Sequence, residues 1–339
     1  MFLNAGFSYE WWNTHYGFCY DKSFYLDVVN KSATLDAMDE IMAERFPYYR
    51  TDYENLKNNT VSNPVVAVEP FGHRFIPTLF GCDIKYSAQT TPWAIHSNLS
   101  DEQVMSMPIW DLEMFRQNQC VQMVDEQAID FKKQHKNVVS AQNLGSVINT
   151  AIYLRENLFS DFYEKPEVIH RLFELITNRM ELSIDYFNER DENLSDLGVG
   201  NCSVCMISPV LYEKFDLQYD LRIMKKAKEL GVRFSMHQDS DVTAYIDKYR
   251  AFNYLYSFDV GQDTNLEKFR EAFPDVIMNI FVYPAWLEEK NEQEIVAGIR
   301  SFVEASGCAT KTGISCYDID KDTEDGKIRA LCDAIEIYL

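Results

Sequence analysis

The sequence predicts an α/β fold, a (β/α)8 TIM-type barrel with an N-terminal helical extension. Two observations predict it. Strand candidates starting near residues 232, 254, 276 and 310 are each followed by a helical stretch, and such alternation specifies a parallel sheet with helices outside it. The length, 339 residues with 46% hydrophobic and 25% charged, suits a barrel carrying an extension and argues against disorder.

The elements read in order as follows. Residues 1–60 are rich in aromatics and helix formers and are expected to form a helical extension packed on a barrel of residues 61–339. Val65–Glu69 and Val138–Gln142 are strand candidates; Ser146–Arg155 and Pro166–Asn188 read as helices. Leu217, Leu221, Met224, Ala227 and Leu230 recur at helical spacing, and Gly231 stands where a C-terminal cap belongs. Val232–His237 is a strand and Asp241–Phe252 a helix. Tyr254–Asp259 is the next strand and Leu266–Phe273 the next helix. Val276–Val282 is a strongly apolar strand, followed by the amphipathic helix Glu292–Ala305. Thr310–Cys316 reads as the last strand and Glu324–Tyr338 as the closing helix.

Composition narrows the function. A formal net charge of −21 disfavours nucleic acid and anionic lipid as partners. It also disfavours a polycarboxylate substrate, which needs several placed cations. No apolar run approaches the roughly 18–20 residues of a membrane span, and Met1–Tyr20 lacks the pattern of a secretory signal. A cytoplasmic location is the expectation. The eight dispersed cysteines are expected to be free thiols. Neither a Gly-x-Gly-x-x-Gly nor a Walker-type loop nor a Gly-x-Ser-x-Gly elbow occurs.

Parallel barrels work at the C-terminal ends of their strands. The residues ending strands here are His237 and Asp239, Asp259 and Asp263, Tyr283, and Cys316 with Asp318. His237, Asp239, Asp259, Asp263 and Tyr283 are therefore the catalytic candidates. His237, Asp239 and Cys316 offer imidazole, carboxylate and thiolate, a donor set that suits zinc. The bland alternatives are a hydrogen-bonded histidine, a core cysteine, and aspartates capping the next helix. Asn201, Cys202 and Cys205 lie in Gly198-Val-Gly-Asn-Cys-Ser-Val-Cys-Met-Ile-Ser-Pro209, a strand end running into a loop. They read as pocket lining able to contact a cofactor, since a lone Cys-x-x-Cys is a weak metal or redox signal.

Met206-Ile-Ser-Pro-Val-Leu-Tyr-Glu-Lys-Phe215, the long helix after it, the strand ending in His237 and the later Cys316 together resemble the uroporphyrinogen decarboxylase superfamily. Pro77-Thr-Leu-Phe-Gly-Cys-Asp-Ile-Lys85 and Asn143-Leu-Gly-Ser-Val-Ile-Asn-Thr-Ala151 resemble further segments of it. The resemblance runs over roughly residues 60–339. It implies the barrel, and it lies closer to the methyltransferases of corrinoid systems than to the decarboxylase itself. The decarboxylase's Arg-Gln-Ala-Gly-Arg segment has no counterpart: Met1–Thr60 holds only Arg45 and Arg50. The methyltransferase branch carries His-x-Cys at one strand end, where this chain has His237-Gln-Asp239.

The resemblance implies a small methylated substrate, a homodimer, and a corrinoid carried by a partner protein. It also implies a pocket wall of Tyr283, Trp286 and Trp93. A zinc ion on His237, Asp239 and Cys316 would be harder than the branch's usual thiolate-rich site. The rival readings are a metal-free decarboxylase using Asp259 or Asp263, and a barrel that binds a corrinoid or tetrapyrrole without turnover.

Overall fold

The computed structural model describes residues 2–46, 65–66, 69–134, 139–191 and 194–336. Eight strands make one sheet: β1 (Phe2–Phe7), β2 (Val65–Val66), β3 (Val139–Gly145), β4 (Leu194–Gly200), β5 (Arg233–His237), β6 (Ser257–Gly261), β7 (Ile277–Phe281) and β8 (Thr312–Ile319). Their order is β1-β8-β7-β6-β5-β4-β3-β2, and every neighbouring pair is parallel. Pairing of the first strand with the last is what an eightfold barrel requires, and the sheet is that of a TIM-like barrel. Strand interiors such as Val260, Met278, Ile280 and Ile314 are fully buried, as expected where helices cover a parallel sheet.

The first residues depart from the expected helical extension. Phe2–Phe7 is a barrel strand in register with Gly313–Ile319 of β8, and only then do helices follow, at Tyr9–Tyr16, Lys22–Leu26 and Val28–Arg45. A strand of six residues is too short to carry a clear period, so the aromatic helix after it dominates the local pattern. The part of the expected extension over 47–60 lies outside the described residues, as do 67–68, 138 and 337–338 of the expected strands and helix.

This N-terminal segment is tied to the end of the chain. Ser8 caps Tyr9–Tyr16 by accepting from the Trp11 amide, and Asp27 caps Val28–Arg45. The Arg45 guanidinium lies 4.8 Å from the Trp11 ring centroid and pairs with Asp325 at 2.7 Å, at the start of the helix Asp325–Glu336. Among the described residues no helix is long and apolar enough to cross a membrane.

The helix Leu217–Leu230 ends as expected. Gly231 adopts φ 70° and its amide donates to the carbonyls of Ala227 and Lys228. A Cβ added there would meet nothing within 4 Å, so only the backbone conformation resists substitution. Gly231→Ala is expected to lower stability by about 1 kcal/mol, read from the midpoint of denaturant unfolding.

The expected helix over Asp241–Phe252 is shorter, covering Ile246–Tyr249. Asp241 and Thr264 side chains bond the backbone of the preceding loop instead. This is the competition short polar side chains offer to a helix start.

Candidate active site

Strand parity decides what faces the barrel lumen, because successive residues alternate sides. His237 ends β5, and its register partner on β6 is Asp259, whose own partner on β7 is Asn279. The three side chains meet. His237 Nδ1 donates to Asp259 Oδ2 at 2.8 Å, and Asn279 Nδ2 donates to Asp259 Oδ1 at 3.0 Å. Asn279 also bonds the Ser315 hydroxyl on β8. The result is a polar relay crossing four strands, from Ser315 to the half-buried His237. Its lower members are buried (Asn279 4% and Ser315 0% exposed), so the Asp259 carboxylate is held on both oxygens.

With Nδ1 committed, Nε2 faces the loops. Cys202, His237 and Asp239 bring one donor atom each within 4.8 Å of one another; Asp239 Oδ2 stands 3.9 Å from Nε2. Cys202 arrives on a short 3₁₀ turn after β4, and the Asn201 amide before it donates to the His237 carbonyl at 2.8 Å. Cys205 sits one turn on, its thiol directed at the Cys202 carbonyl at 3.0 Å.

Burial pushes the His237 imidazole towards neutrality. Its hydrogen bonds to Asp259 and Cys202, and their negative charge, outweigh this and raise its pKa to about 10. A folded value above the ordinary 6.5 means that this pairing stabilises fully below pH 6.5, and that the contribution is lost as pH rises through about 10. In metal-free protein the His237 ring protons should therefore titrate well above neutral pH by NMR. In Asp259→Asn the midpoint should fall towards the ordinary value; an unchanged midpoint would show that Asp259 is not the cause.

The remaining expected residues divide. Tyr283 lies beside the mouth; burial and the charges of Asp263, Asp239 and Asp241 push its phenol up to about 12. Gly261 makes this approach feasible, since a Cβ there would meet Tyr283 Oη at 2.5 Å and the Ser240 carbonyl carbon at 2.6 Å. Gly261→Ala is expected to displace the loop carrying Asp239 and to weaken any ligand bound at the mouth, measurable by titration. Asp263 is exposed on the loop after β6.

Cys316 differs from expectation. It is fully buried, on the face of β8 opposite Ser315, and burial raises its thiol to about 12. Cys202 takes its place in the donor cluster. Trp286 packs on Phe302 and against Gly298, away from the lumen face, and Trp93 lies under Lys85 in a two-residue antiparallel pair. The aromatic wall beside His237 is instead Phe281, 5.9 Å from the imidazole centroid, backed by Tyr317 at 5.8 Å and Tyr283 at 6.2 Å. None of the eight cysteines, all among the described residues, is in a disulfide.

Sequence reasoning passed over Asn279, Ser315, Phe281, Tyr317 and His73, which lies close enough to His237 to feel its charge. One signal was available: a lone Asn within Val276-Ile-Met-Asn-Ile-Phe-Val282 is costly to bury without a lumen partner.

Comparison with known proteins agrees with the fold. A methyltransferase from Methanosarcina mazei superposes with TM-score 0.60 at 15% identity, over 78% of each chain; that likeness is one of fold. The homocysteine methyltransferase MmuM from Escherichia coli, in its metallated form, aligns over 98% of this chain and 96% of its own. Its TM-score of 0.41 and identity of 9% are too low to carry an inference. No curated protein matches in sequence. Residues 66–336 match the family model for uroporphyrinogen decarboxylase (URO-D). With that match spanning most of the barrel, the chain belongs to the uroporphyrinogen decarboxylase family.

Proposed function

We propose that this protein is a methyltransferase of a corrinoid-dependent system, acting on a small methylated substrate at a metal centre held by Cys202, His237 and Asp239. The observation that carries the reading is the convergence of those three donors at the barrel mouth, with the second His237 nitrogen already anchored on Asp259. The donor set fits zinc: one thiolate, one imidazole and one carboxylate leave a position for substrate. A carboxylate behind a ligating histidine is the arrangement that fixes its tautomer and raises its basicity. When bound, the ion would supply Lewis-acid polarisation of the group that gives or takes the methyl.

The chain's own residues do the rest. Asp259 holds the Nδ1 proton and keeps Nε2 turned to the mouth. Asn279 and Ser315 fix that carboxylate. Phe281, Tyr317 and Tyr283 make a wall that excludes water from one side of the site. Cys202 and His237 must each give up a proton to bind metal, so affinity is expected to fall as pH is lowered. A separate corrinoid protein would present its cobalt over the same mouth.

The test is elemental analysis of the purified protein, combined with methyl transfer to or from a cobalamin followed by its visible spectrum. Stoichiometric zinc and a cobalt methylation change are expected. Wild-type protein without metal, or porphyrinogen turnover in place of methyl transfer, would sink the proposal.

A further inference from the structure

Behind the strand-end loop, on the side away from the lumen, lies a second polar cluster that the proposed reaction does not use. The chain after β4 forms a π-helical turn, Tyr212–Asp216, before the helix Leu217–Leu230. Single π-helical turns occur frequently at functional sites. This one carries Asp216 and Asp220 inward. Asp216 is 0% and Asp220 2% exposed, and Asn201, Tyr212 and Tyr249 around them are also buried. Asn201 Nδ2 and Tyr212 Oη each donate to Asp220 Oδ2 at 3.0 Å.

The other oxygens are left over. Both carboxylate oxygens of Asp216, Oδ1 of Asp220, Oδ1 of Asn201 and the Tyr249 hydroxyl have no hydrogen-bond partner. Asp216, Asp220 and Tyr249 are near enough to feel one another's charge, and the Tyr212 and Tyr249 rings are 5.6 Å apart. Among the described residues neither carboxylate has an ion-pair partner.

Buried polar groups are rarely left unpaired, and buried carboxylates are paired, protonated or bound to metal. Burial raises both acids above the ordinary carboxylate range, Asp220 to about 7, so without a counter-ion the pair takes up a proton. A single shared proton would serve the carboxyl pair and leave Asn201 Oδ1 unsatisfied. A divalent cation between the two carboxylates would replace that proton and balance both charges.

We infer that Asn201, Asp216, Asp220 and Tyr249 form a buried binding site for a hard divalent cation of the calcium type. Two carboxylates match a double charge. An irregular set of carboxylate, amide and hydroxyl oxygens suits the flexible coordination of calcium, whereas magnesium demands octahedral geometry and retains its waters. The ion would also brace the mouth, because Asn201 precedes Cys202 and its amide holds the His237 carbonyl. The site is independent of the zinc proposal, having all-oxygen donors on the opposite side of the loop.

Terbium, a luminescent stand-in for calcium, tests it in the full-length protein after dialysis against a chelator. Excitation of tyrosine should give sensitised terbium emission, because Tyr212 and Tyr249 adjoin the site, and calcium should displace it. Calcium should also raise the melting temperature by at least about 2 °C over an equal ionic strength of choline chloride. Asp216→Asn and, separately, Asp220→Asn should weaken terbium binding at least tenfold, whereas Cys202→Ala should leave it unchanged. Wild-type protein with no sensitised emission and no calcium effect overturns the inference, as does stabilisation by sodium or potassium alone. Emission lost in Cys202→Ala would place the ion at the mouth and overturn it too.

Discussion

His237→Ala is expected to release the metal and abolish methyl transfer while leaving the fold intact. Removing a partner behind a metal-bound histidine typically costs about 10–100-fold in affinity or activity; removing the ligand itself should exceed that. Asp259→Asn should fall within that range, since it keeps the shape but turns an acceptor into a group that can donate. The fold should tolerate the first change because His237 is the last residue of β5 and one-third of its side chain is exposed. Elemental analysis with circular dichroism separates the effects. Retention of wild-type metal in His237→Ala, with the fold intact, would remove His237 from the ligand set. Cys202→Ala is the companion measurement: loss of metal there, with retention in Cys316→Ala, distinguishes the two cysteines as ligands.

That distinction marks how far the sequence could be read. The β/α rhythm after residue 217 was legible because each strand is short and followed by a helical stretch, and the structure has strands at each of those positions. His237 and Asp239 were legible as a strand end. Cys316 was not resolvable. In a parallel strand both faces are buried, so Gly-Ile-Ser-Cys-Tyr offers no polar alternation to say which residues see the lumen. A shift of one residue exchanges Ser315 for Cys316. Cys202 was visible only as half of a weak motif, and its approach to His237 depends on the turn after β4. The relay through Asn279 depends on register across β5, β6, β7 and β8, a property of pairing that no single strand encodes. β1 was hidden because six residues carry too little periodicity beside the aromatic helix that follows them.

The largest expected effect on stability lies away from the mouth. Asp161→Ala should destabilise the protein by about 3–5 kcal/mol, the usual consequence of leaving one member of a buried ion pair alone. Asp161 and Arg155 have side chains 2% and 6% exposed and meet at 2.6 Å. Arg155 follows the helix Val147–Leu154, which caps the end of β3, and its other nitrogens reach the Leu99 carbonyl at 2.8 Å and Asp101 at 2.5 Å. It thereby clamps three segments together. Asp101 is exposed to solvent and screened, so it can replace only part of the lost charge, and the guanidinium cannot shed its proton to escape. The paired change Arg155→Met with Asp161→Leu should recover much of the loss, because it removes both charges rather than isolating one. Denaturant unfolding of Arg155→Met, Asp161→Leu and the double variant closes the cycle. A double variant no more stable than Asp161→Ala would mean that the clamp acts through its hydrogen bonds to Leu99 and not through the buried pair.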